Sequence, residues 1–199
     1  IFMCLKKLEL SLLIALVFTV LLSCFDFSYQ CNDIRNRVFR LHILANSNSE
    51  YDQKLKLKVR DRLLNEGLIV FKDSKNLEET ILIANNNIDK FCSVAKDELI
   101  KNGSNYNVNA EVTDCYFNTR TYSTTTLPAG EYNALEIKIG KAEGRNWWCV
   151  MYPSLCVPGS SQKIDDVLPE DETEITQNKD KYIMKFKVIE WFESVRSWF

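Results

Sequence analysis

The chain has 199 residues, enough for one domain of ordinary size with an appendage. It is 46% hydrophobic and 12% aromatic, so it can bury a substantial core, and its net charge of -2 is too balanced for nucleic-acid binding through bulk charge. A single histidine narrows catalytic and metal chemistry, and the seven cysteines acquire meaning only by position.

Lys6 and Lys7 precede Leu10 to Phe25, a run without a charge. As a helix that run spans about 24 Å. It falls between the core of a signal peptide, about 7–15 residues, and a membrane span of about 20. Residues 1–30 therefore read as a signal peptide or membrane anchor, and the lysines predict that the C-terminal side crosses the membrane. Leu21-Leu22-Ser23-Cys24 is a loose version of a lipoprotein processing site, with bulky Leu22 where a small residue is usual.

Val38 to Ala45 alternates and predicts a first strand. Ser49 predicts the cap of a helix running to about Glu66, with Gly67 as its stop and Tyr51, Leu55, Val59 and Leu63 on one face. A second helix is expected from Asn76, with Glu79 as capping partner, to Asn102-Gly103. Its stripe is Leu77, Ile81, Ala84, Ile88, Phe91, Ala95 and Leu99. Tyr106 to Phe117, Tyr132 to Ile139 and Trp147 to Tyr152 predict three more strands, with a Thr-rich loop and the turn Leu127-Pro128-Ala129-Gly130 between the first two. Residues 160–181 read as an acidic flexible linker. Residues 182–199 read as an amphipathic helix whose apolar face is Val188, Trp191, Phe192, Val195, Trp198 and Phe199, expected first to dock on the domain, with a membrane surface or a partner as the alternatives. The expectation is an α+β fold: a small sheet of about four strands with two helices packed on one face, in a domain spanning residues 31–159.

Two blocks make the chain recognisable. Arg40 to Asp61 reads RLHILANSNSEYDQKLKLKVRD, and Phe117 to Cys156 contains TLPAGEY and IGKAEGRNWWCVMYPSLC. Both resemble the stage II sporulation protein R family, over about residues 37 to 157. Asn118, Tyr152 and Ser154 stand where the family usually has Pro, Phe and Pro. The resemblance implies a non-enzymatic protein made in the forespore and exported across its membrane. In the space between the two cells it would activate a membrane-embedded sporulation protease of the mother cell, which processes the pro-sigma-E transcription factor. It also implies no cofactor, no nucleic acid and no small-molecule substrate, with membrane contact through the N-terminal segment. The rival expectation is an exported thiol-dependent enzyme acting on cell-wall or protein substrates, with Cys149 and His42 as nucleophile and base.

Cys149 and Cys156 bracket Val150 to Leu155. Export favours a disulfide between them, with Cα atoms within about 7 Å. The alternatives are buried free thiols, or zinc shared with His42 and Cys115. Zinc is set aside because there is no CxxC pair and only one histidine, so no metal site is expected. Cys92 and Cys115 are expected to be buried and unpaired. Core packing does not explain the polar residues His42, Asn46, Ser47, Asp52, Arg145 and Asn146 in the family-like blocks. Trp147 and Trp148 must point to opposite faces of their strand, leaving one available as a binding anchor. These eight residues are the expected partner-binding set. The Asn46–Asp52 corner and the Arg145–Trp148 loop are expected to lie side by side.

Overall fold

The computed structural model describes residues 2–157 and 164–196. Its centre is a four-stranded sheet in the order β2-β5-β1-β6, built from β1 (Phe39–Leu44), β2 (Val108–Phe117), β5 (Gly130–Ile139) and β6 (Asn146–Tyr152). β1 lies parallel to β5 and antiparallel to β6, and β2 is antiparallel to β5. Both faces of β1 are covered, which is why it carries few exposed side chains. Phe39, Leu41 and Ile43 enter one core, and Val38 enters the other, beside buried Arg40.

The first face is covered by α2 (Glu50–Val70), α3 (Leu77–Asn86) and α4 (Ile88–Lys101). Ser49 caps α2 as expected, its side chain accepting from the Asp52 N–H, and Leu55, Val59 and Leu63 are buried. Tyr51 is not; it is exposed and its hydroxyl donates to the Asn102 carbonyl. Gly67 does not stop the helix. It lies inside α2, where a Cβ would come within 2.7 Å of the Met151 methyl, so its role is to let β6 approach. The expected second helix is two. Asn76 Oδ1 accepts from the Glu79 N–H and the Glu79 carboxylate accepts from the Lys75 N–H at the start of α3, but the stripe is interrupted at Asn87. The Asn85 and Asn87 amides donate back to the Ile81 and Ile83 carbonyls, the local competition that ends helices at asparagine.

The second face is also covered, unlike the expected one-sided packing. Its cover is the C-terminal part of α1 (Phe2–Arg35), then α5 (Glu170–Gln177) and α6 (Lys179–Arg196). A ribbon of β3 (Arg120–Tyr122) and β4 (Thr125–Leu127) replaces the expected Thr-rich loop. Phe27, Cys31 and Ile34 of α1 are buried against Ile175, Phe186 and Ile189. This core therefore begins inside the span assigned to the signal or anchor. Among the described residues no helix is long and apolar enough to cross a membrane. Leu10, Leu12, Leu13, Leu16 and Phe18 of α1 are exposed.

The acidic segment read as a flexible linker is structured where it is described: a 3-10 turn at Ile164–Asp166 and α5. Residues 160–163 lie outside the described residues. Ile164, Leu168 and Ile175 bury themselves, while Glu170, Asp171 and Glu172 occupy the first turn of α5, where carboxylates suit the helix dipole. α6 docks, but not through the expected face. Phe186 and Ile189 are buried, Arg35 pairs with Glu193 at 3.5 Å, and Phe27 stacks on Tyr182. Val188, Trp191 and Val195 point outward, with Trp191 68% exposed. The Phe192 side chain, Trp198 and Phe199 lie outside the described residues.

Cys149 and Cys156 form a disulfide, with Cα atoms 6.2 Å apart. Cys31 and Cys115 are buried and free, and Cys92 is free but only half-buried. Closing so short a loop constrains the unfolded chain by about 2–3 kcal/mol. Cys149→Ser is therefore expected to lower unfolding stability by about that amount, and reductant should do the same to the parent. Coincident urea midpoints with and without reductant would show that the bond contributes nothing.

Candidate functional site

The corner after β1 is tied to the loop before β6 mainly by backbone. The Gly144 and Glu143 N–H groups donate to the Ala45 and Asn46 carbonyls, and the Arg145 N–H donates to Asn48 Oδ1 at 2.9 Å. The Lys141 N–H donates to Asn46 Oδ1. The approach is so close at Gly144 that a Cβ there would stand 2.3 Å from the Ser47 carbonyl oxygen. Lys56, buried on α2, donates to the Arg145 carbonyl and to Gln53 Oε1, both at 2.7 Å. Burial, reinforced by the Arg145 and Arg60 charges, lowers its pKa. The two segments therefore lie side by side, as the sequence predicts.

The expected binding residues divide into those that present themselves and those that brace. Arg145 and Asn146 are exposed, as are Asn48 and Glu50. Asp52 is only 4% exposed and turns inward, accepting from the Asn46 amide at 2.8 Å and the Ser47 hydroxyl at 2.6 Å. Burial opposes its charge, but hydrogen bonds from Ser47, Asn46, Tyr106 and Ser49 outweigh that and hold the carboxyl below its usual range. Asp52, Asn46 and Ser47 thus position the corner. Trp147 and Trp148 face opposite sides, both half-buried, under the guanidinium groups of Arg60 and Arg120 at 4.4 and 4.5 Å.

His42 stands apart from the corner's outer rim, on the second face of the sheet. Its Nδ1 lies 3.0 Å from Glu136 Oε1. Burial pulls its pKa down, against the attraction of Glu136 and a nearby Asn146 amide. The Cys115 thiol donates to the same Glu136 oxygen at 3.7 Å. Lys138 holds the other Glu136 oxygen and also Glu111. Sequence reasoning missed Glu136, because the pairing of His42 with Glu136 joins strands far apart in the chain. Within β5 Glu136 occupies an ordinary polar position of the alternation, on the same face as Lys138, so the strand by itself gives no signal for it.

The expected pairing of Cys149 with His42 as nucleophile and base is not present in this geometry. Cys149 is spent in the disulfide and packs into the first core, while His42 faces the other side of the sheet. Cys115, the thiol that does lie beside His42, is pushed up to about 12, by burial first and by Glu136 second. It is a protonated thiol at neutral pH and a poor nucleophile.

Comparison with known proteins places the chain beside characterised sequences. The sequence profile described as stage II sporulation protein R matches residues 35–162. A protein of Bacillus subtilis (strain 168), named "Stage II sporulation protein R", is 30% identical over a match covering 82% of this chain and 84% of the relative. No solved structure matches the chain.

Proposed function

Because this chain belongs to the stage II sporulation protein R family, we propose that it is an exported signalling ligand rather than an enzyme. It crosses the forespore membrane and switches on a membrane-embedded protease of the mother cell, which then processes pro-sigma-E. The protease performs the chemistry, and this chain shifts its population toward the active form.

The observation that carries this reading is the braced corner formed by residues 46–52 and 143–146. Exposed Arg145 and Asn146 sit on backbone anchored by Asn48, Lys56 and the buried Asp52 network. A corner already held in place loses little conformational freedom on binding, which favours recognition. Both segments fall inside the family match. The exposed apolar side chains between Leu10 and Phe25 of α1 support passage through, or retention at, a membrane.

The test uses the full chain expressed in forespores and the candidate protease in detergent. The parent chain is expected in the exported fraction and is expected to capture the protease. Arg145→Ala should be exported in equal amount with unchanged thermal unfolding, since the side chain is exposed, yet capture the protease about tenfold or more weakly, the loss of a hot-spot arginine. A parent chain retained in the cytoplasm, or equal capture by the variant, would overturn the reading.

A further inference from the structure

We propose that His42, Cys115 and Glu136 form a binding site for one zinc-type divalent metal ion on the second face of the sheet. The three residues come from three adjacent strands, β1, β2 and β5, so their backbones are fixed relative to one another by the ladder. One ligand atom from each lies within 4.8 Å of the other two. Two of the three separations are already 3.0 Å (His42 to Glu136) and 3.7 Å (Cys115 to Glu136). With metal–nitrogen and metal–oxygen bonds of about 2.0–2.2 Å and a metal–sulfur bond of about 2.3 Å, tetrahedral ligands stand roughly 3.3–3.7 Å apart. The His42–Glu136 pair would open slightly and the widest pair would close, both changes of about 1 Å or less.

The chemistry of the donors selects the ion. A thiolate, an imidazole and a carboxylate suit zinc and cobalt, and do not suit magnesium or calcium, which take oxygen ligands. The local charge is also right. With Cys115 as thiolate, the charges of Cys115, Glu136 and Glu111 against that of Lys138 leave two negative charges for a divalent cation to neutralise. Lys138 fixes one Glu136 oxygen and leaves the other turned toward His42 and Cys115, the kind of outer-shell support that orients ligating carboxylates. Phe117 and Trp148 rings stand 6.1 and 6.2 Å from the His42 ring, giving the site an aromatic wall. Three protein ligands leave a fourth position for water. Binding breaks the Cys115 S–H bond and forms a metal–sulfur bond, so one proton leaves to solvent for each ion bound.

The inference does not rest on the proposed signalling role. Its test is a titration of the full chain in detergent, non-reduced so that Cys149 and Cys156 stay paired, with cobalt(II) and then zinc(II). The expected result is one ion per chain, a sulfur-to-cobalt charge-transfer band in the near ultraviolet, and displacement of that band by zinc. Cys115→Ser should abolish the band. His42→Gln should weaken binding by more than the about 10–100-fold that outer-shell changes cost. Cys92→Ser should change neither. As a check independent of the variants' folding, zinc should raise the melting temperature of the parent chain. Absence of a charge-transfer band in the parent, or its persistence in Cys115→Ser, would overturn the assignment and leave a hydrogen-bonded His-Glu-Cys cluster only.

Discussion

Arg40→Ala should lower the unfolding stability of this chain by about 3 kcal/mol, whereas Arg40→Met should stay within about 1 kcal/mol of the parent. Arg40 is fully buried near the start of β1, next to small Ala134 on the neighbouring strand, which leaves room for it. Its guanidinium lies 3.9 Å from the Phe117 ring centre, 4.6 Å from Tyr132 and 5.4 Å from Tyr122. Nε donates to the Cys149 carbonyl at 3.4 Å and Nη2 donates to the Tyr122 hydroxyl. Nη1 is buried without a partner, and among the described residues no carboxylate pairs with this cation. Alanine would remove the ring contacts and leave a cavity, at the cost of about 2–5 kcal/mol usual for large-to-small core changes. Methionine fills much of the same space and needs no desolvation of a charge. The lost ring attraction, about 0.5–2 kcal/mol per contact, is then offset by the relief of an uncompensated buried cation. Urea denaturation of the two variants separates volume from charge. A methionine variant as unstable as the alanine variant would mean that the positive charge itself holds the ribbon and the aromatic cluster on the sheet.

Stability should fall as the pH rises from mildly acidic to mildly alkaline, by on the order of 2–4 kcal/mol, and Glu172→Gln should remove most of that fall. Glu172 on α5 is buried against Asp33 on α1, with Arg37 3.6 Å from its Oε2. Arg37 serves Asp33 better, donating to Asp33 Oδ2 from both Nε and Nη2, at 3.1 and 2.9 Å. The two carboxyls therefore divide the available charge. Asp33 is held below its ordinary range by its hydrogen bond with Glu172 and by Arg37. Glu172 is pushed up to about 8, by burial first and by Asp33 second. A carboxyl whose folded pKa lies above its unfolded value stabilises the fold while protonated. That contribution is present below about 4.5, shrinks as the unfolded chain but not the folded one loses its proton, and is gone above about 8. Glutamine mimics the protonated form at every pH. It should therefore be the more stable variant above neutral pH, and its stability should vary little across the window. A parent chain whose denaturation midpoint is flat from about pH 5 to about pH 8.5, or rises, would show that the pair is not coupled in this way.

The corner was legible because its signals are local. Ser49 with Asp52 marks a helix start, and the glycines of the 140–144 loop mark a close approach whatever lies opposite. The proximity of Cys149 and Cys156 was legible for the same reason, since few residues separate them. The His42 cluster and the Arg40 cage were not. Each joins β1 to residues 73 or more positions away through strand register, and no periodicity within one strand reports which residue stands opposite.

Alternation and helical spacing by themselves determined that this is an α+β chain with four main strands, and that Leu55, Val59 and Leu63 of α2 enter the first core, though not Tyr51 of the same stripe. Those patterns are set by the geometry of each element, with a period of 2 or 3.6, and need no knowledge of neighbours. Only the tertiary structure decided what covers the second face. The acidic segment has too little apolar content to predict order by itself, yet Ile164, Leu168 and Ile175 suffice once α1 and α6 are present to receive them. α6 carries apolar residues on two sides, and its own sequence is equally compatible with either side facing inward. Phe27 on α1 resolves that choice, because Tyr182 and Phe186 can pack on its ring and Trp191 cannot do so from the same helix orientation.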